Sequence, residues 1–174
     1  MFKPSYLVKG YPGHPLHPPL TDATIGAYTA ATVFGILAIA GVSEENLTKA
    51  WWLALLVGLG STALTATTGL IDWLTITWGT PLWWTATWHM LSMLTATGFF
   101  ALAAGFGHDR YVHAAMGSWT FIATLIGFVA LTVGGWLGGT IVFVHGMRVL
   151  NLVEEPAGRA IAPGHPEKEM AEES

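Results

Sequence analysis

Hydrophobic positions along the chain fall into four long, nearly charge-free blocks separated by short polar stretches. The first runs from about residue 20 to Val42 and gives way to the polar segment Ser43 to Lys49. The second opens with Trp51 and Trp52 and ends near Ile71, its close marked by Asp72 and Trp73. The third extends from Trp84 to Phe106, with Gly107-His108-Asp109-Arg110 reading as the turn after it. The fourth starts near Val112 and continues past Gly134-Gly135 to about residue 144. Apolar runs of this length are membrane-spanning helices. The pattern therefore predicts an all-α fold, a four-transmembrane-helix up-down bundle with antiparallel neighbours.

The flanks differ from the blocks. Residues 1–19 carry Pro4, Pro12, Pro15, Pro18 and Pro19, and proline fixes φ and removes a backbone donor. This lead-in is expected to lie extended or turned at the interface, with Thr21 and Asp22 capping the first helix. Residues 20–152 form the four-span domain, and 153–174, with Pro156, Pro163, Pro166 and several glutamates, a disordered polar tail. The fourth block poses a length problem. Taken as one helix, residues 112–144 would reach about 50 Å, against about 30 Å of hydrocarbon. The expectation is a long fourth helix, tilted and kinked or loosened near the glycines; the alternative is a break followed by a short interfacial segment.

Composition agrees with a membrane protein. Only 10% of the 174 residues are charged and 52% are hydrophobic. The net charge of −4 owes much to the tail, and no basic patch points to nucleic acid. The absence of cysteine excludes disulfides, cysteine-ligated iron–sulfur clusters and cysteine nucleophiles. Lys3 and Lys9 are followed by prolines instead of an apolar core, so the start does not read as a signal peptide. No GxSxG, P-loop, HExxH or dinucleotide fingerprint is present. Lys3, Lys9, Arg148, Arg159 and Lys168 fall on one side of a four-span topology, and Lys49 and Arg110 on the other. That bias places both termini in the cytoplasm.

Candidate chemistry gathers at one end. Ionisable groups at the ends of spans are costly in lipid and so are functional candidates. His14 and His17 precede the first span, Asp72 ends the second, His89 lies early in the third and His145 closes the fourth. In an up-down bundle all five share a face, whereas His108 and His113 belong to the other. Neutral imidazole ligates metals and haem iron. His89 with His145 is the first choice for a haem b ligand pair, with His14 or His17 as the alternate. Asp72 suits an acceptor that fixes an imidazole tautomer, with Trp73 beside it. The same histidines with Asp72 would alternatively hold a divalent metal. A cofactor-free reading, in which the histidines simply bond backbone carbonyls, stands beside both.

The remaining polar and small residues read as packing devices. Gly134/Gly138 and Gly135/Gly139 are overlapping GxxxG pairs, suited to close helix packing or to a homo-oligomer contact. Thr62, Thr65, Thr95 and Thr97 are expected to add interhelical or i−4 bonds. Met90, Met93, Met116 and Met147 are expected to pack. Trp73, Trp78, Trp83, Trp84 and Trp88 form an interfacial belt.

GHPLHP before the first span, GLIDW after the second, the early histidine of the third and GWLGGTIVFVHGMRV closing the fourth together resemble the domain-of-unknown-function 2231 family of predicted bacterial membrane proteins. The resemblance covers about residues 10–150. It picks out Gly13, His14, Pro15, His17, Pro18, Asp72, Trp73, His89, Trp136, Gly138, Gly139, His145 and Gly146. It implies a four-span protein of the bacterial inner membrane. Some relatives are joined to Rieske-type iron–sulfur domains, implying electron-transfer company that this cysteine-free chain would meet as a separate subunit. The chain departs from the family pattern at Thr140, where an acidic residue is common, and at Trp88, where a basic one is usual.

The expected function is that of a haem b-binding electron-transfer subunit, partnered by the bilayer and a Rieske-type or other redox membrane subunit. The alternatives are a non-catalytic structural subunit of a larger complex and a divalent-metal-binding membrane protein. In each case the chain is a subunit more than a stand-alone enzyme.

Overall fold

The computed structural model describes residues 10–11, 13–150 and 152–161. A small hairpin, β1 (Gly10–Tyr11) antiparallel to β2 (His14–Pro15), leads into α1 (His17–Ile39). There follow α2 (Glu44–Trp73), α3 (Pro81–His113), α4 (Ser118–Phe143) and the short α5 (Ala157–Ile161). The first four helices are each long and apolar enough to cross a membrane. α1 packs along α2 and α3 along α4; the two helical hairpins then join through α2 with α3 and, less extensively, α1 with α4. The predicted four-helix antiparallel bundle is the fold.

Several boundaries differ from the sequence expectation, three of them for a plain local reason. α1 begins at His17 because Pro18 and Pro19 take its first positions, where a missing N–H leaves no bond unmade. Thr21 is consequently one turn inside, its hydroxyl donating to the His17 carbonyl at 2.9 Å. Gly107 to Arg110 form no turn; α3 continues through them to His113 and closes at Ala114, which is left-handed at φ 54°. The fourth helix is not overlong and does not break at the glycines. Residues 112–117 belong to the end of α3 and the connection, so α4 has 26 residues and runs unbroken through Gly134, Gly135, Gly138 and Gly139. Glycine keeps its N–H, so the i→i−4 ladder survives. The longest helix is α3, with 33 residues, about 50 Å at 1.5 Å per residue.

The bundle is built from small residues inside and large aliphatics outside. Buried positions on α1 are Thr24, Tyr28, Ala31, Thr32, Gly35 and Ala38, and on α4 Thr120, Ala123, Thr124, Gly127, Leu131 and Gly134. Val57, Leu64, Leu94 and Val129 face outward. Lipid is as apolar as leucine, so helices associate in membranes through close packing and hydrogen bonds, which small residues and threonines provide. Thr24 and Thr65 hydroxyls meet at 2.9 Å between α1 and α2. Thr62 takes the Tyr28 hydroxyl at 2.8 Å while donating to the Gly58 carbonyl. Thr95 and Thr97 donate to carbonyls one turn back.

Large side chains sit opposite glycines. Tyr28 lies over Gly58, Phe100 over Gly127 and Met93 over Gly134. Trp51 is fully buried against Gly35 and Gly107, and its indole N–H donates to Thr124 at 3.1 Å. An interfacial role was expected for Trp51, but α2 begins at Glu44, so this residue is two turns inside and on the core face. Residues 152–161 of the expected polar tail are described and include α5; residues 1–9 and 162–174 lie outside the described residues.

Candidate functional site

The site lies where α1 and α3 begin and α2 and α4 end. His17, the first residue of α1, places Nδ1 at 3.1 Å from the Thr65 carbonyl and 3.2 Å from the Thr68 hydroxyl, both on α2. A carbonyl only accepts, so Nδ1 carries the proton; in the neutral ring Nε2 then keeps its lone pair. His89, on the third turn of α3, repeats the arrangement: its Nδ1 donates to the Gly134 carbonyl of α4 at 2.8 Å. Neither Nε2 has a hydrogen-bond partner among the described residues.

Both rings rest on glycines. A Cβ at Gly69 would stand 2.7 Å from Cε1 of His17, and one at Gly138 would stand 3.2 Å from Cε1 of His89. Each imidazole thus needs a missing side chain on the neighbouring helix. The two histidines come from different hairpins, and His17 lies within electrostatic reach of Asp72, Arg148 and His89.

The other expected members go elsewhere. His145 follows α4 and its Nε2 meets the Thr85 hydroxyl at 3.0 Å. That hydroxyl donates its own proton to the Pro81 carbonyl, so it accepts from His145, whose Nε2 is the protonated nitrogen. His145 therefore has the opposite tautomer to His17 and His89, and its bond ties the start of α3 to the end of α4. Asp72 does not orient an imidazole directly. It accepts from the Arg148 guanidinium at 2.5 Å, in a pair whose side chains are 13% and 30% exposed respectively. Trp73 donates to Thr87 at 3.0 Å and packs on Trp83 at 5.6 Å, away from the imidazoles. His14 is exposed on β2. At the other end, His108 meets the edge of Trp52, and His113 bonds Asp109.

No three of the histidines and carboxylates converge on one point among the described residues. The set of histidines plus Asp72 expected for a divalent metal is not assembled, because Thr85 takes His145 and Arg148 takes Asp72. The glycine pairs also divide. Gly134 and Gly138 face α3, receiving Met93 and His89, whereas a Cβ at Gly135 would meet nothing within 4 Å. Of the expected tryptophan belt, Trp83 is buried among its neighbours, and Trp78, Trp84 and Trp88 are exposed. Trp119, at the start of α4, and Trp136, about two turns before its end, are exposed, about 26 Å apart at 1.5 Å per residue, close to a hydrocarbon thickness. His89 adjoins Trp88, at the level of the nearer belt.

Sequence reasoning named Thr65 only as an interhelical bonding residue, and missed its place under His17, the roles of Thr68, Thr85 and Gly69 in holding the imidazoles, and the pairing of Arg148. The GLIDW motif contained one usable signal, a glycine three residues before the acid. The threonines had none, since membrane helices use threonine throughout.

The fold defines a multi-pass membrane protein, with His17 and His89 held at one end of the helical bundle. A family model described as a predicted membrane protein matches residues 13–151, and the chain belongs to that family, the domain-of-unknown-function 2231 proteins. Comparison with curated proteins and with solved structures returned no match.

Proposed function

We propose that this membrane protein is a haem b-binding electron-transfer subunit in which His17 and His89 would hold the haem iron. The observation that carries the reading is the matched pair of imidazoles. Each donates Nδ1–H to a backbone carbonyl, which fixes its tautomer and presents an Nε2 lone pair, the usual state of a ligating histidine. The Gly69 and Gly138 recesses seat the two rings. Such a haem supplies a reversible one-electron centre. The chain's part is to hold the two rings, and to keep the centre at the level of the Trp88 belt, within reach of a redox subunit outside the bilayer. A Rieske-type protein on a separate chain is the partner class that the family resemblance favours. The inner membrane of a bacterium, with both termini cytoplasmic, is the proposed location.

The test is an oxidised and reduced visible spectrum of protein purified from haem-replete cells. A Soret band is expected, lost in His17→Ala and His89→Ala and kept in His145→Ala. A colourless wild-type preparation overturns the proposal, and elemental analysis of it would then address a bound divalent metal.

One observation favours a second reading. His17 bridges α1 to α2, His89 bridges α3 to α4 and His145 bridges α3 to α4, so the histidines also act as interhelical ties. A structural subunit of a larger complex would use them that way. It would co-purify with stoichiometric partners, and His17→Ala would then lower stability with no spectral change.

A further inference from the structure

We propose that Arg148 recognises the acidic groups of that haem, with Asp72 holding the guanidinium until a propionate carboxylate replaces it. The inference rests on the haem reading above and adds to it the anion-recognising element.

The placement comes from three helices. Thr68 touches His17, and Asp72 lies one turn further along α2, on the same face. On α4, Gly138 seats His89, and the chain continues to Phe143 before turning back. His145 anchors that turn on Thr85, and Gly146 (φ 66°) with Arg148 (φ 59°) redirects it so that the guanidinium reaches Asp72. A left-handed conformation costs a non-glycine residue about 1 kcal/mol or more, so the contacts of this segment hold Arg148 in a position it would not adopt alone. The result is a cation paired with Asp72 near His17, on which both charges act.

The chemistry fits one ligand class. Haem b is a flat apolar macrocycle with two carboxylates on one edge. Guanidinium is the side chain whose planar fork matches a carboxylate, and it pairs best where water is partly excluded, as it is here. Among the described side chains, the other cations, Lys49 and Arg110, lie at the opposite end with Glu45 and Asp109. Asp72 is then an internal carboxylate standing in for the ligand's own, and it keeps the guanidinium compensated before the ligand arrives.

The experiment titrates the detergent-solubilised full chain, prepared free of haem, with haem and with haem dimethyl ester, whose carboxylates are blocked. Soret absorbance and the thermal unfolding midpoint are read. Wild type is expected to bind the ester about tenfold more weakly, the equivalent of one charge-assisted hydrogen bond. Arg148→Gln is expected to bind both compounds alike, at the affinity of the ester. Asp72→Asn, which removes the competing carboxylate, is expected to bind haem several-fold more tightly and to keep the discrimination. Equal affinity for the two compounds in wild type overturns the role of Arg148 while leaving the haem reading intact. Discrimination that survives in a folded Arg148→Gln does the same. Binding of neither compound to folded wild type overturns the haem reading and this inference together.

Discussion

Tyr28 of α1 and Phe100 of α3 stack at 4.0 Å with 12° between their planes, diagonally across the bundle. Each enters the centre over a glycine of the helix beside it, Gly58 and Gly127 respectively. The two helical hairpins are therefore joined at mid-depth by a stacked aromatic pair. Phe100→Ala should cost about 3 kcal/mol or more through lost packing and the cavity left behind. Leu94→Ala on the outward face of α3 should change stability by less than about 0.5 kcal/mol. Reversible unfolding in mixed micelles measures both, and equal costs would show that the stack does not join the hairpins.

Gly58 and Gly60 form a matched pair of controls two residues apart. A Cβ at Gly58 would stand 2.5 Å from the Tyr28 ring, whereas one at Gly60 meets nothing within 4 Å. Gly58→Ala should destabilise by about 1–3 kcal/mol, since Tyr28 is itself pinned by Phe100 and Thr62. Gly60→Ala should be neutral or stabilise by up to about 1 kcal/mol, from helix propensity alone. A thermal shift assay of the two variants gives the sign of each.

Gly69→Ala should affect the site more than Gly138→Ala. The added methyl would lie 2.7 Å from Cε1 of His17 in the first case and 3.2 Å from Cε1 of His89 in the second. In the first the imidazole must move off its Thr65 and Thr68 partners; in the second a shift of a few tenths of an ångström suffices. If the haem reading holds, Gly69→Ala loses the larger share of Soret absorbance at unchanged helix content. The reverse order would place the ligand away from His17.

Ala114 ends α3 in the left-handed region at φ 54°, its N–H bonded to the Arg110 carbonyl. Glycine is the residue that adopts this conformation without a Cβ penalty. Ala114→Gly should therefore raise stability by about 1 kcal/mol, read as a higher unfolding midpoint. A lower midpoint would mean that the helix end is held by something other than its backbone geometry.

The lysine and arginine distribution predicts that the α1–α2 and α3–α4 connections face away from the cytoplasm. The chain contains no cysteine, so single introduced thiols report cleanly. In intact cells a membrane-impermeant maleimide should label Val42→Cys and spare Thr77→Cys, both positions being exposed. Labelling of Thr77→Cys alone would invert the topology.

The sequence by itself determined the four spans, their antiparallel order and the end at which the ionisable residues collect. It could do so because the absence of charge over a bilayer's width has one physical solution, and because span parity then decides which ends coincide. It also offered the close-packing role of Gly134 and Gly138, though only the fold separated that pair from Gly135 and Gly139 at the same spacing. Tertiary structure alone decided where each imidazole bonds: Thr65 and Thr68 take His17, Gly134 takes His89 and Thr85 takes His145, through hydrogen bonds that span 45 to 60 residues. No local pattern encodes such a choice. The same holds for Asp72, whose partner Arg148 is 76 residues away and arrives through a left-handed turn after α4. The anchor of that turn on Thr85 needs only the α3–α4 hairpin, but the pairing of its guanidinium with Asp72 exists only once the two hairpins have closed against each other.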